Sequence, residues 1–461
     1  MGTLQLSDIQ AFIMHTYRPC ALRAFVLKVQ NARAARQFLG SFISGEASSP
    51  QLATADQWEQ HHSYRVNVGI TYSGLAALGV PESVLLTFPD EFAGGAAAAA
   101  QRIGDTDDSA PEMWQAPFAS PDVHVLVFLF ITDKVATENT VETVSARLRA
   151  LYGSTGACQE LSVRDARSLP GDVAHFGYRD GFAQPTIEGG PPSVIPDILP
   201  QAAVSEFLLG YENLTTDRVP APLELCRNGS YAAFRILEQD CHAFEAFLAE
   251  QSTQTNLDPE FIAAKLCGRW RSGAPLTLFP NADDPQRDEP ESFARYNSFD
   301  YVKTDNFAPS EDYDDSRGYL CPIGSHIRRM NPRHSRVAGN SGLSHRIVRR
   351  GLPYGPPYDS ANPQDGLERG LLGLFIGASL KNQFEFLMKH WANDGGFAGM
   401  GQTKDPILGD NSPSDSKFVI PVEAGKKPVV VRGFPRLVKT RGGAYCFVPS
   451  VTAIKYLSAL P

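Results

Sequence analysis

The chain is short of cysteine, of long apolar runs and of positive charge, and each shortage removes a class of protein. Seven cysteines in 461 residues, none of them in a Cys-x-x-Cys pair, supply neither a zinc ribbon nor a disulfide framework. The longest near-continuous apolar stretch runs only from Val123 to Ile131. That is far below the roughly 20 residues needed to cross a bilayer. Met1 to Asp8 has no basic n-region, apolar h-region or twin arginine. A cytoplasmic protein with reduced thiols and no membrane association is therefore expected. With 42 Lys+Arg against 51 Asp+Glu, the net charge of −9 disfavours a general binder of polyanions.

What is present is an ordinary globular composition, 43% hydrophobic and 20% charged, in a chain long enough for two or three domains. Ala24–Val29, Arg65–Ile70 and Val123–Ile131 read as strands, the last apolar on both faces and so central. Ala32–Ile43 and Thr140–Tyr152 repeat apolar residues at helical spacing, and Ser73 is the expected N-cap of a short helix. The second half echoes this order, with strands at Leu371–Ala378 and Ala444–Val448 around a helix at Asn382–Trp391. The pattern predicts an α+β protein built twice over. Pro191–Pro200 suits a crossover between the halves. The acidic, turn-rich stretch Asn281–Asp315 reads as a long surface excursion.

Three segments carry residues from which chemistry can be built. Gly177-Tyr178-Arg179-Asp180-Gly181, followed by Phe182-Ala183-Gln184-Pro185, sets a carboxylate between glycines. The same letters also describe a plain Asp-Gly turn. In Cys321–Arg333, His326 precedes Arg328, Arg329 and Arg333. A metal held by protein alone takes three or four ligands, and none cluster here; a haem iron needs one proximal ligand, and a structural histidine needs none. Haem also carries two propionates, which suit arginine forks. Between His326 and Arg350 stand seven arginines and no acid. A nucleic-acid patch usually mixes in lysine and aromatics, and this stretch has neither.

Together these segments resemble the dye-decolorizing peroxidase family, haem enzymes that use hydrogen peroxide. In that family a Gly-x-x-Asp-Gly motif supplies a distal Asp, a later His ligates iron, and a further Arg completes the distal pocket. The matching residues are Asp180, His326 and Arg349. The likeness continues through Asp8-Ile9-Gln10, Glu206–Tyr211, Arg227–Tyr231, Gly268–Gly273, Gln383-Phe384-Glu385-Phe386, Trp391-Ala392-Asn393 and Arg441–Tyr445, nearly the whole chain. The length is most similar to the larger fungal-type and cyanobacterial members. In one respect the chain departs: where many members carry an acid just before Gln-Phe-Glu-Phe, it has Lys381-Asn382, so the proximal histidine's acceptor is unassigned.

The resemblance implies two ferredoxin-like halves with antiparallel sheets, residues 1–200 and 201–461, and one haem b per chain in the C-terminal half. It implies a peroxidase that reduces hydrogen peroxide and oxidises phenols or dyes, with no nucleic-acid partner. Monomer and homo-oligomer are equally open. Asp180 would be the distal acid–base and Arg349 the charge stabiliser, with His175 a weaker alternative base. His326 would bind iron and Arg333 a propionate, with Arg328 and Arg329 behind it. Tyr354, five residues beyond Arg349, would be the surface site for electron transfer from bulky dyes. Trp270 and Trp391 are expected in the core. The alternative is a haem-binding or haem-handling protein, releasing porphyrin or iron, with little turnover.

Overall fold

The computed structural model describes residues 4–17, 20–46, 49–57, 62–132, 137–192, 197–212, 219–287 and 289–461. Among these, ten strands alternate with helices: β1 (Ala21–Val29), β2 (Tyr64–Ile70), β3 (Val125–Ile131), β4 (Cys158–Arg167), β5 (Ser230–Gln239), β6 (Val348–Tyr354), β7 (Gly370–Gly377), β8 (Lys417–Ile420), β9 (Val429–Arg432) and β10 (Val438–Val448). β8 and β9 pair with each other; the other eight form one sheet in the order β4-β1-β3-β2-β10-β5-β7-β6. The first four strands thus lie in the order 4-1-3-2. Counting β5, β6, β7 and β10 as first to fourth of the second half gives 4-1-3-2 again. This repeated antiparallel order is the duplicated ferredoxin-like α+β architecture expected above.

Every residue of β3 is buried, which is why its sequence shows no alternation; it runs between β1 and β2. Helices Ala32–Ser41 and Thr137–Gly153 cover this half, with Phe38 meeting Tyr152 at 5.6 Å between ring centroids. The halves join through one pair, Ile70 with Phe447, and β4 lies against β6 on the opposite side. Across the inner layer Arg235 of β5 donates to Asp105 at 2.6 and 2.5 Å and to Thr440 of β10 at 2.7 Å, with both ends of the ion pair buried. The long connections of the second half carry His326, between β5 and β6, and Asp405, between β7 and β8.

Several local expectations need correction. Thr71, not Ser73, caps the helix Tyr72–Ala77: its hydroxyl accepts from Gly74 N at 3.0 Å, whereas Ser73 already lies inside the helix. The stretch Asn281–Asp315 is a surface excursion only in part: residues 302–314 are exposed or partly buried, but Tyr296, Phe299 and Tyr301 sit fully inside a core cluster with Phe182 and Trp270. Acidic, turn-rich composition concealed these aromatic anchors. The segment Asn382–Trp391 forms wide π-turns, at Leu380–Glu385 and Leu387–Ala392, rather than a regular α-helix. Of the crossover Pro191–Pro200, positions 193–196 lie outside the described residues. Trp270 and Trp391 are buried. No helix among the described residues is long and apolar enough to cross a membrane.

Candidate active site

The first site element is the loop after β4. Gly177 adopts φ +85°, a left-handed turn closed by Gly177 N donating to Ala174 O and Ala174 N to Tyr178 O, both at 2.8 Å. A Cβ on Gly177 would stand 2.6 Å from Arg271 Nη1, so an arginine occupies the space that glycine leaves. Arg271 Nη1 donates to Phe176 O at 2.9 Å, and its own carbonyl accepts from Arg179 N at 2.9 Å. Ion pairs to Glu245 (2.8 Å) and Glu260 (3.1 Å) hold it in place.

The loop presents Asp180 with its side chain 57% exposed, 3.3 Å from Arg349 Nη1. Gly181 N donates to Asp180 Oδ1 at 2.6 Å. The positive charge of Arg349 holds the Asp180 carboxyl below its ordinary pKa; partial desolvation by the surrounding protein opposes this, and the Gly181 N–H and the His326 imidazole reinforce it. Arg349 is fixed by the same loop: its backbone N–H donates to Gln184 Oε1 and its Nη2 to Ala183 O, each at 3.0 Å. Its neighbour Arg350 is buried, with Nε on Phe12 O at 2.8 Å.

The second element is the helix His326–Met330. His326 Nδ1 meets Asp405 Oδ2 at 2.9 Å, and that carboxylate is inaccessible to solvent. Asp405 Oδ1 accepts from Ile407 N and Leu408 N, both at 2.9 Å, which turns Oδ2 toward the imidazole. Burial works against a charged His326, but Asp405 outweighs it and the imidazole pKa is raised; Asp405 in turn is lowered by His326 against its own burial. His326 Nε2 has no protein partner among the described residues. Asp180 and His326 lie within electrostatic range of one another, each acting on the other's charge.

His326 suits the iron of a ligand-bearing macrocycle better than a bare ion. No cluster of three His, Cys, Asp or Glu exists among the described residues, so a metal on His326 would bring its other ligands with it. Partly buried Ile323, Met330, Ile347, Phe386 and Met400 pack around Leu387, Trp391 and Phe397, an apolar cluster that takes in Met330 from the end of the His326 helix.

The remaining residues singled out in the sequence are placed as follows. Arg328 and Arg329 are fully buried, their guanidinium groups engaged by protein acceptors, which corrects their reading as reserve propionate partners. Of the seven arginines in the basic stretch, only Arg336 and Arg349 are not buried, so it is not a surface patch. Arg333 is also buried, donating to Phe299 O at 2.6 Å and Asn297 Oδ1 at 2.8 Å, with Asp197 at 3.7 Å. Tyr354 is only half-buried as a residue, but its hydroxyl is buried and unpartnered among the described residues. His175 is buried, its Nε2 2.7 Å from Tyr354 O.

Sequence reasoning missed Asp405, Gln184 and Arg271. Asp405-Pro406 advertises a turn in which the carboxylate takes the following amides, but nothing local ties it to a histidine 79 positions away.

The comparisons with known proteins point to one family. A family model described as the DyP dimeric alpha+beta barrel domain matches residues 8–165. Peroxidase 2 of Mycetinis scorodonius is 30% identical over 484 residues, covering 98% of this chain and 87% of the relative. A solved dye-decolorizing peroxidase in complex with 2,6-dimethoxyphenol superposes with a TM-score of 0.79 at 26% identity, covering 99% of both chains. Another, whose haem pocket was engineered for asymmetric sulfoxidation, gives a TM-score of 0.79 at 26% identity, covering 99% of this chain and 100% of its own.

Proposed function

The chain belongs to the dye-decolorizing peroxidase family and is a peroxidase of that type, and we propose that His326 would hold a haem b and that Asp180 and Arg349 would handle the peroxide. The observation that carries this reading is the pair of polar contacts, Asp180–Arg349 at 3.3 Å and His326–Asp405 at 2.9 Å, with Asp180 and His326 within electrostatic range of one another.

His326 would hold the iron through Nε2, the atom its Asp405 contact leaves available. The Asp405 carboxylate fixes the ring orientation and holds the Nδ1 proton. Bound haem would supply the iron at which the O–O bond of hydrogen peroxide breaks. Asp180, ionised because Arg349 depresses its pKa, accepts a proton from one peroxide oxygen and returns it to the other, which leaves as water. Arg349 stabilises negative charge on the departing oxygen, and Gln184 and Ala183 hold the guanidinium for that task. Arg333 would contribute fixed positive charge on the propionate side, its Nη atoms being already engaged by Phe299 and Asn297.

Small phenols are the proposed reductants, a reading supported by the 2,6-dimethoxyphenol in a solved relative. For bulkier dyes Tyr354 would relay electrons from the half-buried face of β6. The seven cysteines are free thiols, which supports a cytoplasmic setting. The N-terminal unit would span residues 1–200 and the haem-binding unit 201–461. Replacing Asp180 by Asn tests the reading: the haem Soret band should persist while steady-state turnover falls by orders of magnitude. Undiminished turnover would reject Asp180 as the proton carrier.

A further inference from the structure

Arg329 has an unusual place for a charged group. Its side chain is fully buried, and none of its hydrogen bonds goes to a carboxylate. Three backbone carbonyls receive it instead: Nε donates to Trp391 O at 2.6 Å, Nη2 to Asp394 O at 2.8 Å and Nη1 to Thr403 O at 2.5 Å. The ring of Phe397 lies under the guanidinium at 4.6 Å. A buried guanidinium is tolerable only when its donors are satisfied, and these three acceptors satisfy it at each nitrogen.

Asp394, Thr403 and Phe397 belong to one loop, and Trp391 stands at the end of the helix that leads into it. The loop leaves that wide-turn helix, Leu387–Ala392, and returns at Asp405, whose backbone N–H donates to Ala392 O at 2.8 Å. Asp394 is on the outgoing limb just after Trp391, and Thr403 is on the returning limb two residues before Asp405. Arg329 therefore bridges the neck of the loop. It also lies three residues after His326, one turn along the same short helix. A planar fork reaching three carbonyls fixes direction as well as distance, which an ammonium with one nitrogen does not.

The geometry points to Arg329 as a positioning residue for the proximal pair, tying the helix that carries His326 to the loop that carries Asp405 so that the 2.9 Å contact between them is held. Its effect on the haem is exerted through Asp405, and the inference rests on the assignment of His326 and Asp405 given above. A stronger hydrogen bond at Nδ1 makes the imidazole a better donor to iron and stabilises the oxidised metal. Loosening that bond raises the reduction potential.

The test uses haem-loaded protein and two readouts: the ferric/ferrous midpoint potential and the ferrous iron–imidazole stretch by resonance Raman. Asp405→Asn should raise the potential and lower the stretching frequency. Arg329→Met should move both in the same direction by less, and adding it to Asp405→Asn should produce no further shift. Arg328→Met is the control for burial alone, since Arg328 is equally buried but bonds to Asp315 and Cys321 rather than to this loop. It should lower thermal stability and leave both readouts alone.

If Arg329→Met fails to fold, Arg329→Lys decides: one nitrogen in place of three should give a part-way shift, and wild-type values would overturn the inference. So would an Arg329→Met shift that adds fully to that of Asp405→Asn, or one matched by Arg328→Met. If Asp405→Asn itself leaves both readouts unmoved, the assignment of the proximal pair fails, and the role of Arg329 with it.

Discussion

Arg349 Nη1 on β6 stands 3.3 Å from Asp180 Oδ1 on the loop after β4, across 169 positions of sequence. The contact joins an N-terminal motif to a C-terminal strand and sets the ionisation of the proposed proton carrier. Arg349 lowers the folded-state pKa of Asp180, so the carboxylate form survives to lower pH than in a free chain. Activity is lost only as pH falls through that depressed value, and turnover should persist below pH about 3.9, the usual Asp range. Arg349→Gln removes the cause, so the acid limb of the kcat/KM profile should move to higher pH. An acid limb that stays in place would separate the limb from Asp180.

Gly177→Ala probes how the loop is set. The new Cβ meets Arg271 Nη1 at 2.6 Å in a left-handed backbone, so both the turn and the arginine must shift. Displacement of a reacting group by about 1 Å costs on the order of 100-fold, and a loss of about 10- to 100-fold in kcat is expected. Gly181→Ala, with φ +92° and nothing within 4 Å of the added carbon, disturbs the backbone alone. It should be the milder change. Equal rates for the two variants would show that the space around Arg271 does not matter.

The hydrogen bonds of the Asp105–Arg235 pair go to each other and to Thr440, not to the proposed site residues, and the pair should report on stability only. Both side chains are nearly inaccessible, at 4% and 1% exposure. Asp105→Ala leaves the guanidinium buried without its carboxylate, at a cost of about 3–5 kcal/mol. Equilibrium denaturation should show a lower midpoint with an unchanged slope, and the holoprotein that remains folded should keep its kcat.

Tyr354→Phe removes a buried hydroxyl with no partner among the described residues, so the fold should tolerate it almost without cost. That makes it a clean probe of electron relay. Turnover of a bulky dye should fall while that of a small phenol is unchanged. If both substrates behave as in the wild type, Tyr354 is not a relay.

The duplicated α+β pattern was legible because β3 carries an apolar run that only a central strand accommodates, whereas β4, β5 and β6, and with them the strand order, did not stand out in the sequence. Asp180, His326 and Arg349 stood out because their motifs are local and could be matched to a family. Asp405 did not, since its meaning depends on a histidine in another segment. The arginine-rich stretch was visible but its fate was not: Arg328, Arg329 and Arg350 turn inward because carbonyls and one carboxylate, distant in sequence, await them. The stretch 281–315 misled for the converse reason, its acids masking Tyr296, Phe299 and Tyr301, which fill the core.

The most direct test of the account is the absorption spectrum of purified holoprotein before and after one equivalent of hydrogen peroxide, for the wild type and Asp180→Asn. Both should show the same resting Soret band, because His326 and Asp405 are untouched. The wild-type band should change at once and the Asp180→Asn band should hardly respond. An equally fast response in the variant, or a wild-type protein unable to retain haem, would contradict it.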